Sequence, residues 1–208
     1  MRWWWQRAPS RLLAELVAEG FVALDVETTG LDSRRDAVVA LAAIPFVDRL
    51  AQDGLRTLVN PGRPIPAAAT LVHGLDDAAV ASSPTIGDVL PRLTMTCAGR
   101  VLVGHAIEFD LAVLRRDARA AGLPALDNVA LDTRDLALAL NPRRRAVTLD
   151  ELAADLRVPL TGRHTAAGDA LAAGMILFEL LRAFEAQGVR TLAELLRQQR
   201  AGRIARLG

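Results

Sequence analysis

A chain of 208 residues with 51% hydrophobic and 24% charged side chains is long enough to bury a core and too apolar for wholesale disorder. All 25 basic residues are Arg, and the net charge of +1 gives no global electrostatic case for a nucleic-acid or membrane surface. One cysteine, Cys97, excludes an internal disulfide framework and a cysteine-based zinc site. Arg11 to Glu19 reads as a short amphipathic helix leading into the apolar run Phe21 to Glu27, a first strand. Ala37 to Val47 is a continuous, partly β-branched run, too short for the ~20 residues of a bilayer span and therefore a buried strand. Leu55 to Val59 is a third strand, closed by Asn60-Pro61-Gly62. The short gaps between these runs predict an antiparallel meander.

Arg63 to Ser83 reads as a Pro-interrupted connection, and Thr85 opens a helix to about Met95. Arg100 to Gly104 is a fourth strand, followed by a helix over Asp110 to Ala121 that Gly122 and Pro124 close. Val129 to Asp132 is a fifth strand, and Thr133 starts a helix to about Leu140. Thr148-Leu149-Asp150-Glu151 has a capping-box pattern. A long helix covers about Thr165 to Ala186, with Leu171, Met175, Phe178 and Leu181 on one stripe. Three antiparallel strands followed by strand–helix units predict an α/β domain with a mixed five-stranded sheet flanked by helices. The expected organisation is an N-terminal extension over 1–19, a main domain over 20–186 and a basic tail over 187–208. Met1 to Arg7 lacks the apolar stretch of a signal peptide, so a soluble cytoplasmic location is expected.

Chemistry enters at the end of the first strand. Side chains alternate along a strand, so Asp25 and Glu27 share one face about 6.5–7 Å apart. Adjacent anions at a buried strand end repel each other unless a cation lies between them. With no Lys in the chain, a divalent metal with hard oxygen ligands answers that repulsion. Asp110 opens the helix after the fourth strand, and His164 and Asp169 enter the last long helix. Five helical residues turn through about 500°, so His164 and Asp169 do not share a helix face. His164 is therefore expected on the preceding loop, with Asp169 fixed on the helix. Taken alone, each of these residues has an ordinary reading. Asp25-x-Glu27 is a helix cap or turn pair, Asp110 a helix-start acid, His73 a turn residue and His105 a hydrogen-bonded structural histidine. Asp132 reads as the cap of the next helix.

Taken together, Asp25-Val26-Glu27-Thr28-Thr29-Gly30, Gly104-His105 with Phe109-Asp110, and His164-x-Ala166-x-x-Asp169-Ala170 resemble the three motifs of DEDDh, DnaQ-like 3′–5′ exonucleases. That group includes the proofreading epsilon subunit of bacterial DNA polymerase III. Val59-Asn60-Pro61-Gly62, Val72-His73-Gly74-Leu75 and Thr148 to Ala153 resemble it too, and the similarity spans about residues 20 to 185. The resemblance implies a ribonuclease H-like fold and two Mg²⁺ or Mn²⁺ ions held by Asp25, Glu27, Asp110 and Asp169. It implies His164 as general base, and Thr28, Val72, His73 and Phe109 as contacts to the terminal nucleotide. A related branch places Tyr where His164 stands, and this chain has no Tyr. Three positions depart from the family pattern: Ala106, Ala68 and Ala40, where family members often carry Asn, Glu and an acidic residue. None is a metal ligand in that pattern, so the departures bear on substrate grip.

The resemblance leads to a metal-dependent exonuclease releasing mononucleotides from single-stranded DNA ends. Alternatives are an RNA-trimming or oligoribonucleotide-degrading enzyme of the same family, or a catalytically silent interaction module. Thr28-Thr29 is closer to the DNA branch, and the intact carboxylate set argues against silence. Arg143-Arg144-Arg145 reads as solvated surface, with phosphate tracking as the functional alternative. Trp3-Trp4-Trp5 and the Arg-rich tail are candidate contacts to a protein partner. Only a short tail follows the domain, so a stand-alone enzyme is expected over a replicase subunit.

Overall fold

The computed structural model describes residues 11–144 and 146–207. Its centre is β1 (Phe21–Thr28), whose odd and even positions face different cores. Phe21 and Ala23 join one core with helix α8 (Ala166–Ala186), where Phe21, Phe46 and Phe178 pack with ring centroids 5.2 to 5.8 Å apart. Val22, Leu24 and Val26 join a second core with α4 (Ile86–Cys97) and α5 (Glu108–Ala120). Burying each such side chain contributes about 1.5–3 kcal/mol, so both faces hold the strand in register.

Strand β2 (Val38–Val47) pairs antiparallel with β1, setting Asp25 opposite Ala42 and Glu27 opposite Ala40. Strands β3 (Leu50–Ala51) and β4 (Leu55–Leu58) share the outer edge of β2, pairing with Phe46–Val47 and with Ala40–Ala43 respectively. Beyond β1 lie β5 (Val101–Gly104) and β6 (Ala130–Asp132), both parallel to their neighbours. The mixed sheet thus has six strands rather than the five expected. The extra one, β3, is a two-residue exposed strand, too short to leave an alternating pattern.

The stretch read as a Pro-interrupted connection contains two short helices, α2 (Ala67–His73) and α3 (Asp77–Val80). Helices α1 (Leu13–Glu19), α6 (Thr133–Leu140) and α7 (Leu149–Leu156) fall where the sequence placed them. The segment read as a basic tail is instead a helix, α9 (Leu192–Leu207), seated on α6. Arg203 and Arg206 of α9 engage the fully buried Asp135 at 3.1 and 3.0 Å, so two of its cations are committed inward. Gly202 touches α6 so closely that a Cβ there would lie 1.8 Å from the Asp135 carbonyl oxygen. In the Arg triplet, Arg144 pairs with Asp155 and Glu151 of α7. Arg145 and Trp3-Trp4-Trp5 lie outside the described residues. No helix among the described residues is long and apolar enough to cross a membrane.

Candidate active site

Alternation along β1 sends Asp25 and Glu27 to the α8 side of the sheet, and the first turn of α8 brings Asp169 to meet them. One carboxylate oxygen from each of Asp25, Glu27 and Asp169 lies within 4.8 Å of the others. Asp110 reaches the cluster from the other side of β1. Strand β5 pairs with β1 only as far as Ala23, so the Val26 N–H lies beyond the parallel ladder. The Asp110 carboxylate takes that N–H at 2.9 Å from the start of α5. Three expected ligands therefore share a cluster, and the fourth is anchored beside it through the strand backbone.

The electrostatics show how far these carboxylates are from ease. Burial and then the charges of Asp110, Glu27 and Asp169 hold the Asp25 carboxyl well above its ordinary value. Burial, with Asp169 adding to it, pushes Glu27 up to about 7. Burial raises Asp110 to about 8 against the opposing hydrogen bond from Val26. Each raised carboxyl binds a proton more tightly in the folded state than in the unfolded chain. Their stabilising contribution is fully present below the unfolded values and is lost as pH rises through the folded ones. Protein stripped of divalent ions should therefore lose stability from about pH 4.5 to about pH 8, with thermal melting across that range as the check. A melting temperature that rises over the same interval would contradict this electrostatic picture.

A cation already sits at the cluster. Arg163 forks onto Asp150 of α7 at 2.8 and 2.7 Å and places its remaining nitrogen on Asp169. These contacts raise the guanidinium's pKa, so it stays charged. The other Asp169 oxygen is buried with no hydrogen-bond partner among the described residues. Hard oxygen donors converging within 4.8 Å, with one orphaned and three groups raised by repulsion or burial, fit a divalent ion. Sequence reasoning missed Arg163 as part of the site. Its position directly before His164 was the available signal.

His164 stands on the exposed loop before α8, as expected, with a left-handed φ of 59°. Such backbone is uncommon outside glycine and concentrates where a side chain must be held in a particular place. The loop is seated because Gly168 has no side chain: a Cβ there would lie 2.0 Å from the Gly162 carbonyl oxygen. Thr165 then caps α8 by accepting the Gly168 N–H at 3.1 Å.

Two cavities flank the acids. One of about 320 Å³ opens on Asp25 and Asp169, with Arg134 and Arg163 on its wall. The other, about 250 Å³ and mainly apolar, is lined by Glu27, Thr28, Val72 and His73. His73 is the last residue of α2 rather than a turn residue. Its Nδ1 accepts the Leu75 N–H at 3.1 Å, while Nε2 is buried without a partner among the described residues. Phe109 does not line this cavity; it packs, half-buried, against the core under α4 and α5. His105 is structural: Nε2 faces the Val147 carbonyl at 3.2 Å, so Nε2 carries the proton. Burial lowers its pKa to about 4. Asp132 caps α6 and also takes the Ala106 N–H at 3.0 Å, fixing the turn before Asp110.

A family model described as exonuclease matches residues 22–177, which include every one of these acids. The chain belongs to this exonuclease family. It is 41% identical over 192 residues to a DNA polymerase III subunit epsilon-like protein of Rhodobacter capsulatus, covering 89% of this chain and 27% of that protein. It is 33% identical over 183 residues to the DNA polymerase III PolC-type of Caldanaerobacter subterraneus, covering 88% of this chain and 13% of the relative. The chain thus spans little more than a quarter of these relatives at most.

Among solved structures, Exonuclease X in complex with 5′ overhanging duplex DNA superposes with a TM-score of 0.68. It is 24% identical, with 86% of this chain and 99% of that one covered. Escherichia coli Exonuclease I in complex with a 5cy-dT13 oligonucleotide gives 0.69 at 18% identity, covering 85% of this chain and 42% of that one. At these identities the likeness establishes a shared fold, the ribonuclease H-like architecture expected from the motifs.

Proposed function

We propose that this exonuclease removes nucleoside monophosphates from the 3′ ends of single-stranded DNA with the help of two divalent ions, Mg²⁺ or Mn²⁺. The observation that carries the reading is the convergence of Asp25, Glu27 and Asp169 between two cavities, with His164 on an adjacent exposed loop. Asp25, Glu27, Asp110 and Asp169 would hold the ions. When bound, divalent ions supply a more acidic water and charge neutralisation at the scissile phosphate.

The chain's own groups do the rest. The apolar cavity at Thr28, Val72 and His73 receives the terminal nucleoside, its mainly apolar wall suiting a base and sugar face. The Thr28 backbone meets the 3′ end. His164 takes the attacking water's proton at an imidazole nitrogen. Its exposed loop lets it release that proton to solvent between turnovers. Asp110 fixes the β1 backbone between Asp25 and Glu27, so both carboxylates keep their spacing. Phe109 stands one residue before Asp110 and is assigned to the edge of the substrate path.

DNA is preferred over RNA because the fold is shared with exonucleases solved in complex with DNA and because Thr28-Thr29 resembles the DNA branch. Matched 5′-labelled DNA and RNA oligomers, incubated with Mg²⁺ or Mn²⁺, should give a descending ladder for DNA and slower loss of RNA. A bulky 3′ block should suppress cleavage. Equal cutting of circular single-stranded DNA would establish an endonuclease and remove the terminal-nucleotide role of His73.

A further inference from the structure

The β1–β2 loop separates two unlike surfaces. Thr28, Thr29 and Gly30 at its start line the apolar cavity beside Glu27. Arg34 and Arg35 further along it line a different cleft of about 680 Å³, completed by Arg63 and Arg116. Four guanidiniums face this cleft against one lining carboxylate, Asp117, in a chain whose net charge is only +1. Arg116 is paired with Asp117 at 2.7 Å, so the excess positive charge of the cleft lies on Arg34, Arg35 and Arg63.

The cleft is built. Arg116 donates to the Ser33 and Asp36 carbonyls at 2.9 and 2.7 Å, and Arg63 donates to the Arg35 carbonyl at 2.7 Å. The loop's base is closed by the Thr29 N–H donating to the Ala37 carbonyl at 2.9 Å, and by Thr29 Oγ1 donating to Asp36 at 3.0 Å. Arg34, by contrast, has no side-chain partner among the described residues, and the Arg35 side chain is 86% exposed with Asp32 no nearer than 3.8 Å. Two guanidiniums are thus held out from a loop that two others fasten down.

Position adds the direction. Strand β2 is antiparallel to both β1 and β4, so the ends of β1 and β4 and the start of β2 lie at one end of the sheet. Asp25, Glu27, Arg34 and Arg63 all belong to that end. Arg forks match phosphate oxygens, and an anionic strand is the ligand such a row favours. We infer that this cleft binds the phosphodiester backbone of the nucleic acid beyond the nucleotide held at Glu27, Thr28 and His73. The inference rests on the exonuclease reading for its ligand, and it adds a grip that favours long strands over short ones.

The test compares wild type with the double variant Arg34→Glu and Arg35→Glu, leaving the fastening Arg63 and Arg116 intact. Anisotropy of a labelled 20-nucleotide DNA strand, titrated with salt in Ca²⁺ buffer, reads the cleft without hydrolysis. Loss of two phosphate contacts should flatten the log K against log salt slope by about 1.4, at ~0.7 per contact for single strands. In Mg²⁺, the ratio of kcat/KM for the 20-mer to that for a dinucleotide should fall at least ~10-fold. An unchanged slope together with an unchanged ratio overturns the cleft. Normal strand binding by a wild type that hydrolyses neither substrate overturns the exonuclease reading instead, and the salt slope still decides the cleft.

Discussion

Asp25→Ala is expected to abolish hydrolysis and, with it, the rise in melting temperature that millimolar Mn²⁺ gives the wild type. A ligand that binds only the folded state stabilises it by mass action, so the shift reports the ion site directly. Asp25 is the carboxylate most embedded in like charge, with Asp110, Glu27 and Asp169 all disfavouring its ionised form. Removing it takes one of three converging oxygens from the cluster. Divalent ions supply several kcal/mol of transition-state stabilisation, so the loss should be on the order of 10³-fold or more. The fold should survive, because the same change relieves repulsion at the end of β1. An active Asp25→Ala enzyme would sink the assignment of this cluster as the ion site.

His164→Ala should separate chemistry from ion binding. The side chain stands on an exposed loop and belongs to neither core, so its removal leaves packing and the four carboxylates in place. Mn²⁺ stabilisation should therefore persist while turnover falls about 10²–10⁴-fold, the usual range for losing a positioned base. Single-turnover cleavage and melting shifts on one preparation read both effects. Unchanged turnover would make His164 an ordinary loop residue and place the base elsewhere.

The sequence carried the parts of this molecule whose signal is periodic or local. Phe21 to Glu27 shows the strand because both faces are buried, and Thr148 to Glu151 shows the start of α7 because the capping box is a contiguous pattern. Helix α9 was hidden for a physical reason. Its inward positions are Leu192, Leu195, Gln199 and Gly202, a helical spacing in which two of the four side chains are not apolar. Gln199 is buried because it extends the sheet edge, accepting the Asp132 N–H at 2.8 Å and donating to the Ala130 carbonyl at 3.2 Å. Gly202 is buried because α6 passes too close for any side chain. Neither reason can be read from a hydrophobic stripe.

The acids were legible as a set because motif order survives in one dimension. Their unequal geometry was not, since Asp110 reaches Val26 only where the β5 ladder stops. Arg163 was invisible for the opposite reason: its partners, Asp150 and Asp169, lie on two helices whose docking no local pattern encodes.

The two-sided burial of β1 has an evolutionary corollary. Phe21, Ala23, Asp25 and Glu27 are in one phase of the strand, and Val22, Leu24 and Val26 are in the other. Deleting one residue upstream within β1 would exchange the phases, sending carboxylates toward the α4–α5 side and aliphatic side chains toward α8. Length changes in this strand therefore destroy architecture and chemistry in a single event. Point substitution is the only gentle route to a folded but inactive descendant. Catalytic competence and foldability are inherited here on one reading frame.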